Sequence, residues 1–520
     1  MLTALALLAC TGSPPDDAPD LDIRFVRGGL LVSGGSEGRA LPGGRRLIEK
    51  AWSPGESVSV GGQEAIGPRR AECAPLFSVT LGDVSRLVAS GGAAPNTALA
   101  FSPDGALLAV GSYTGEVLLL DGWTGDVRAR RRLAETMVKS VTWSDDGQTL
   151  YAAEQSPDAY IHALRADDLD PRWSLRLADI VGTSAPPDAE DIYGIYSLPS
   201  AYGLVRLPGG DLLTAALHSW KDADGVQLNR SQVLRITPDG TVAARWPAQP
   251  ADATFQHPRV DSSGQYVLLS VNRSADGPPP EGLPIGGVVA LAAADLSQVT
   301  AATPTPLKPW FDQPYVWEAL DIDPEQGIFI GLGDGRVQTY GLDGTPRLQQ
   351  TTGAPTMAGD VPIHASVGFG FFYGGGLVYA TSKTLIPYGA ASSALRPPTA
   401  HPNENTLWHT DAEGAVRWSW SGSQIIAGLT PSDDGDHLVV GAGDRQTDDR
   451  RDLYGALVFD LREPLAGRSG EDRLEAFCPT QGPVFFRHAM STDGRVAVAE
   501  HPYMDADSAA VGAYKVTVLR

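Results

Sequence analysis

The chain has 520 residues, 62 acidic against 40 basic, a formal net charge of −22 and a pI near 4.7. A hydrophobic content of 42% excludes a wholly disordered chain, and this acidity argues against nucleic acid or anionic lipid as a partner surface. The length allows three or four domains or one large repeat fold, and the 59 Gly and 40 Pro, scattered without period, announce many turns.

Residues 1–10, MLTALALLAC, form an apolar run too short to cross a bilayer but the length of a secretory hydrophobic segment. Leu7-Leu8-Ala9-Cys10 resembles the bacterial lipobox, which implies that Cys10 becomes the lipidated first residue of the mature chain. The segment departs from the pattern in having no Lys or Arg before the apolar run. Residues 11–20 follow as a polar, proline-bearing tether. Thr11 after the Cys, rather than Asp, implies outer-membrane sorting in a Gram-negative cell. The expected address is the cell envelope, with membrane contact through the lipid alone.

Two cysteines then remain, Cys73 and Cys478. An even count in an oxidising compartment favours a bridge. Strand polarity, set out below, argues against one, and the question stays open at this level. Residues 21–72 contain short strand patterns with Gly turns, as in DIRFVRGGLLVSG and ESVSVGGQEAI. They are expected to form a small β-rich extension before a larger domain spanning 73–520.

That domain is repetitive. Thr97 to Asp126, TALAFSPDGALLAVGSYTGEVLLLDGWTGD, reads as alternating apolar strands separated by Pro-Asp-Gly and Thr-Gly turns. Seven further hairpins follow, with turns at Asp145-Asp146-Gly147, Pro208-Gly209-Gly210, Ser262-Ser263-Gly264, Pro324 to Gly327, Gly374 to Gly376, Asp433-Asp434-Gly435 and Thr492-Asp493-Gly494. Their last glycines are 42 to 63 residues apart, the spacing of four-stranded propeller blades.

With SPDG between the first two strands and LLLDGWTGD after the third, the repeats resemble the bacterial WD40-like and YVTN-type β-propeller superfamily. The WD dipeptide is absent; Leu120-Asp121 stands in its place. The resemblance implies an all-β fold, a single propeller of eight four-stranded blades. Seven is the alternative if the loop-heavy copy Phe369 to Trp420 is not a blade. The last copy ends at AYKVTVLR, one strand short, and LFSVTL (Leu76 to Leu81) is expected to supply the missing strand and close the ring. Closure makes the outer strands near Cys73 and Cys478 parallel neighbours. The two cysteines would then point toward opposite faces.

Turns between first and second strands are short, whereas several second-to-third connections and blade-to-blade links are long, and simple propeller topology puts both kinds on one face. Tyr193, Tyr196, Trp220, Trp310, Trp317 and Tyr503 lie in or beside them, with His218 and His501. Such aromatics suit a binding surface and equally suit plugs that hold loops on the ring. His257, Glu318, His364 and His488 begin first strands and are expected at the channel mouth, where convergence would suit a metal or acid–base chemistry. Water-bound, channel-lining histidines are the plainer reading, because the chain has no HxH or HxxxH spacing. Asp222-Ala223-Asp224-Gly225 begins like a calcium loop, but Val233 stands where the twelfth-position Glu belongs. Gly34-Gly35-Ser36-Glu37-Gly38 matches GxSxG in letters, without the following helix that a nucleophile elbow needs.

No cofactor is expected beyond an adventitious Ca²⁺ or His-bound ion. The expected function is binding, by the loop-rich face, of an envelope protein or glycan. The alternative is a propeller enzyme of lactonase, sulfotransferase or quinoprotein type with its site at the channel mouth.

Overall fold

The computed structural model describes residues 21–26, 29–34, 39–40, 58–60, 63–65, 73–82, 97–186, 194–273, 280–306, 316–358, 361–381, 401–422, 426–432, 435–443, 454–462, 470–504 and 510–520. Among them the strand pairings resolve into eight four-stranded antiparallel units. Their first strands are Ala98–Phe101, Met137–Trp143, Ser200–Arg206, Thr254–Val260, Val316–Asp323, Val367–Tyr373, Ile426–Pro431 and Val484–Met490. Each first strand touches the next in chain order, and the eighth touches the first. The series is therefore closed around an axial channel. We call the end where the first strands begin the upper face.

Unit one shows why these residues fold this way. Leu107–Gly111 and Glu116–Asp121 are near-continuous apolar runs, because both faces of each sheet are covered. Leu108, Val110, Leu118 and Leu120 face unit eight, where Tyr514, Val516 and Val518 receive them. The alternate residues Ala109, Val117 and Leu119 face unit two and meet Trp143, Leu150 and Ala152. The core is thus a set of seams between units, each buried aliphatic side chain contributing roughly 1.5–3 kcal/mol. The fourth strand, Val127–Arg132, has a water-exposed face and carries four arginines.

The Ser-Pro-Asp-Gly turn is a small hydrogen-bonded device. The Ser102 hydroxyl donates to Asp104 Oδ1 at 2.6 Å, and the amides of Ala106 and Leu107 donate to Asp104 Oδ1 and Ser102 Oγ. Gly105 completes it at φ +70°, a conformation that favours glycine. Unit two repeats it with Ser144, Asp146 and Gly147, and unit eight with Ser491, Asp493 and Gly494.

Unit eight is completed from the other end of the chain. Its strands Val484–Met490, Val496–Glu500 and Tyr514–Leu519 are joined by Pro75–Gly82, which pairs antiparallel to Tyr514–Leu519. Leu76 to Leu81 therefore supplies the fourth strand. Cys73 and Cys478 are disulfide-bonded with Cα atoms 4.7 Å apart. The polarity objection fails because twisted sheets tilt their outer strands across one another, so the late end of one strand meets the early end of its neighbour. The copy between Phe369 and Trp420 contains four strands: Val367–Tyr373, Gly376–Thr381, Thr406–Asp411 and Val416–Ser421. In the N-terminal extension the strands Leu21–Val26, Gly29–Gly34 and Arg39–Ala40 form one sheet, and Val58–Val60 pairs with Gln63–Ala65. Among the described residues no helix is long and apolar enough to cross a membrane.

Candidate functional site

Seven of the eight first strands, those of units two to eight, carry a register shift near their upper end. The shifts fall at Val138/Ser140, Tyr202/Leu204, Gln256/Arg259, Val316/Leu320, Val367/Phe369, Ile426/Leu429 and Val484/His488. A bulge breaks the in–out alternation and re-aims the extra side chain. Lys139, His257, Trp317 and Glu318 all sit inside these bulges. His257 adopts φ +52°, and the following Pro258 lies where a Cβ on Gly203 would be, which leaves room only for glycine there. The bulge also frees the backbone at Glu318 and Ala319, which pair with Phe369 and Gly370 and stitch unit five to unit six.

The re-aimed side chains form an arc across four units. Lys139 Nζ lies 4.3 Å above the Tyr202 ring and donates to Gln155 Oε1 (3.2 Å) and Ser200 Oγ (3.3 Å). Tyr202 meets His257 edge to face at 5.1 Å, and His257 lies 5.4 Å from the Trp317 ring. His257 Nδ1 is 3.4 Å from Glu318 Oε1, both side chains buried. The cation is thus held by a ring face and two polar oxygens, and the imidazole by a carboxylate and two aromatic rings. Such an arc stiffens the mouth and gives it an aromatic, amphipathic rim.

The four channel-mouth candidates do not form one cluster. His257 and Glu318 meet. His364 instead packs against Gly335, between the second and third strands of unit five, with its ring 5.9 Å from His401; burial lowers its pKa. His488 is turned sideways into the seam with unit seven, where its ring fills the space over Gly441 and its Nδ1 lies 3.4 Å from Thr430 Oγ1. Position near a strand start does not fix direction once a bulge intervenes. Among the described residues no group of three or more His, Cys, Asp or Glu is arranged to hold a metal ion.

The loop-face candidates divide similarly. His218, 1% exposed, stacks on Trp220 at 4.1 Å, contacts the Val181 carbonyl and Ser184 hydroxyl, and is pushed down to about 4 by desolvation. Tyr196 is buried with Met137, Ile195 and Leu198. His501, also 1% exposed, stacks on Tyr514. These three plug connections onto the ring rather than display them. The Trp220 connection is no loose loop: Leu212–Lys221 and Gln227–Ile236 run on as a ten-residue hairpin. Asp222 spends its carboxylate on the amides of Asp224 and Val226 at the tip, which explains the calcium-like spelling. Cys10, Tyr193, Trp310, the side chain of Tyr503 and the GxSxG serine lie outside the described residues. Sequence reasoning missed Lys139 and Tyr202, whose signal is only a polar and an aromatic residue early in two successive first strands.

Residues 83–146 match the family described as the anaphase-promoting complex subunit 4 WD40 domain. No curated protein matches the chain. Among solved structures, the chain is similar to the C-terminal WD40 domain of Sif2, at 11% identity with a TM-score of 0.51, covering 86% of this chain and 98% of that one. It is also similar to the Cps50 (Swd1) β-propeller domain of Myceliophteria thermophila, at 10% identity, TM-score 0.43, covering 86% and 99%, and to BamB from Moraxella catarrhalis, at 11% identity, TM-score 0.40, covering 74% and 93%. At these identities a likeness speaks of fold alone, and with the strand pairings it gives the chain a WD40-like β-propeller fold.

Proposed function

We propose that the chain is an exported, lipid-anchored scaffold that binds an envelope protein or glycan through its upper face, each of the eight units serving as one blade. The observation that carries this reading is where the additions to the repeat lie. The second-to-third connections and the unit-to-unit links all emerge on the upper face, around the stiffened mouth. Several of the described ones carry extra structure: the turn Gly194–Ser197, the hairpin Thr356–Ala358 with Val361–Ile363, the tip beyond Lys221, and the paired strands Tyr503–Met504 and Ala510–Val511. On the lower face the described turns are tight except in unit seven, where the third-to-fourth connection carries the short helix Gly470–Arg473. Elaborated connections on one side of a rigid ring are the usual form of a binding surface. The mouth's charged side chains are held by their own neighbours, which suits a shaped platform better than a reactive centre. The charge of −22 favours a neutral or cationic partner.

The full chain, expressed in its own cells with a photocrosslinking residue at Met357 or Lys221, tests this. Val127 and Val416, beside lower turns, serve as controls. Discrete adducts from the first pair alone are expected, in the membrane fraction, with Cys10→Ser moving the protein to the soluble fraction. Adducts from all four positions, or from the controls alone, would remove the upper-face reading.

A further inference from the structure

Below the mouth a cavity of about 190 Å³ opens between the first strands of units four to seven. Its walls are Phe369, Phe371, Leu429 and Pro431, and the two charged side chains on it are Arg259 and Asp321. An apolar cavity of roughly 150 Å³ is enough to hold benzene, so this one has room for a ring or a branched aliphatic group. The two charges lie near enough to feel each other, yet they do not close into an ion pair. Asp321 Oδ2 accepts the Phe372 N–H at 2.8 Å. This bond fixes the carboxylate, and the Arg259 guanidinium makes no hydrogen bond to the described residues. A cation and an anion held apart beside apolar walls form a gap that a head group bearing both signs would fill. Its carboxylate would meet Arg259, its ammonium Asp321 and its side chain the phenylalanines.

We infer that this cavity is a binding site for a small zwitterion with a large apolar side chain, the chemistry of a free aromatic or branched-chain α-amino acid. Arg259 and Asp321 grip opposite ends of the head group, and neither charge has to leave water unpaired when the ligand enters. Burial pushes the Asp321 carboxyl up to about 6 in the free protein. The charged groups reaching it are Arg259 from unit four and Asp323 on its own strand, while units six and seven present only apolar walls. Ligand binding requires the ionised carboxylate, so affinity falls as pH drops through about 6.

The test is calorimetric titration of the full-length protein with L-phenylalanine, 3-phenylpropionate and 2-phenylethylamine. Phenylalanine is expected to bind, and each analogue, lacking one end of the zwitterion, to bind about tenfold more weakly or not at all. Arg259→Gln and Asp321→Asn are each expected to cost about tenfold or more in phenylalanine affinity. Asp321→Asn keeps an oxygen for the Phe372 N–H, so a cooperative melt like that of the parent shows the fold intact. No heat up to about 10 mM phenylalanine, an affinity undiminished in either folded variant, or equal binding of 3-phenylpropionate would overturn the inference. The analogue comparison needs no variant and decides the matter even if Arg259→Gln fails to fold.

Discussion

Two buried histidines show how single residues tie this fold to pH. The Nδ1 of His401 accepts the Asn403 N–H at 3.1 Å, and its Nε2 lies 2.9 Å from the Ala354 carbonyl, which can only accept. Such a ring is neutral, with its proton on Nε2, and protonating Nδ1 would break the Asn403 bond. Desolvation pushes His401 down to about 4, as it does His218. Above pH 6.5 both are neutral folded or unfolded, and no stability is lost. As pH falls from 6.5 to 4 the unfolded chain takes up protons that the folded one refuses, so stability falls by about 3 kcal/mol per histidine. Asp321, raised to about 6, works in the opposite sense and recovers part of the loss below pH 6. Urea midpoints measured across this range should therefore decline toward acid. His401→Gln, whose amide can replace both hydrogen bonds without titrating, should flatten the decline; an unchanged pH slope would refute the assignment. The sequence marked His218, His257, His364, His488 and His501 as noteworthy but passed over His401. Which histidines are buried depends on loops folding back onto the ring, and no local pattern records that.

Elements carry a mixture of legible and hidden information. The hairpin turns were readable because Ser, Asp and Gly each have a fixed job inside a few residues. The bulges were not, since one or two extra residues in a strand leave no compositional trace, and this is why the four channel-mouth candidates part company while Lys139 and Tyr202 went unnoticed. The turn of unit eight reaches further than its own hairpin. Arg495, its side chain only 1% exposed, donates to Asp493 at 2.8 Å and to the carbonyls of Gly105 (2.8 Å) and Gly122 in unit one, with its guanidinium 3.9 Å from the Trp123 ring centre. One side chain thus locks the turn of the last unit to two turns of the first. Arg495→Leu strands two buried carbonyls and is expected to cost about 3 kcal/mol. Arg495→Lys, which keeps the charge but loses the fork, should cost less. Hydrogen exchange should speed up at the Gly122 amide, which bonds the Ala106 carbonyl between the two unit-one turns that Arg495 holds, before it does elsewhere in unit one. If exchange accelerates evenly over the chain instead, Arg495 is not the local lock.

At the scale of the molecule, the ring's closure was legible because the arithmetic of strands was: a last copy one strand short and a spare strand before the first copy. The Cys73–Cys478 bond was not, since it depends on how far each sheet twists, and counting strands predicts only their direction. The bond spans 405 residues and links unit seven to the chain just before the strand that closes unit eight. By chain entropy such a loop is worth at most about 6 kcal/mol, and about 2–4 kcal/mol is the usual yield. Its place makes a sharper claim than its size. In the oxidised protein the Pro75–Gly82 strand is tethered on both sides, by its pairing with Tyr514–Leu519 and through Cys73. In Cys73→Ala/Cys478→Ala only the pairing remains. The double variant should unfold at lower denaturant, and its weakness should be concentrated at the closing strand, read as protease cleavage before residue 83 while units two to six stay protected. Oxidised protein should show neither thiol when denatured. Two free thiols there would mean that no bond forms, and cleavage unaltered by the substitutions would mean that the ring is held shut by strand pairing and packing alone.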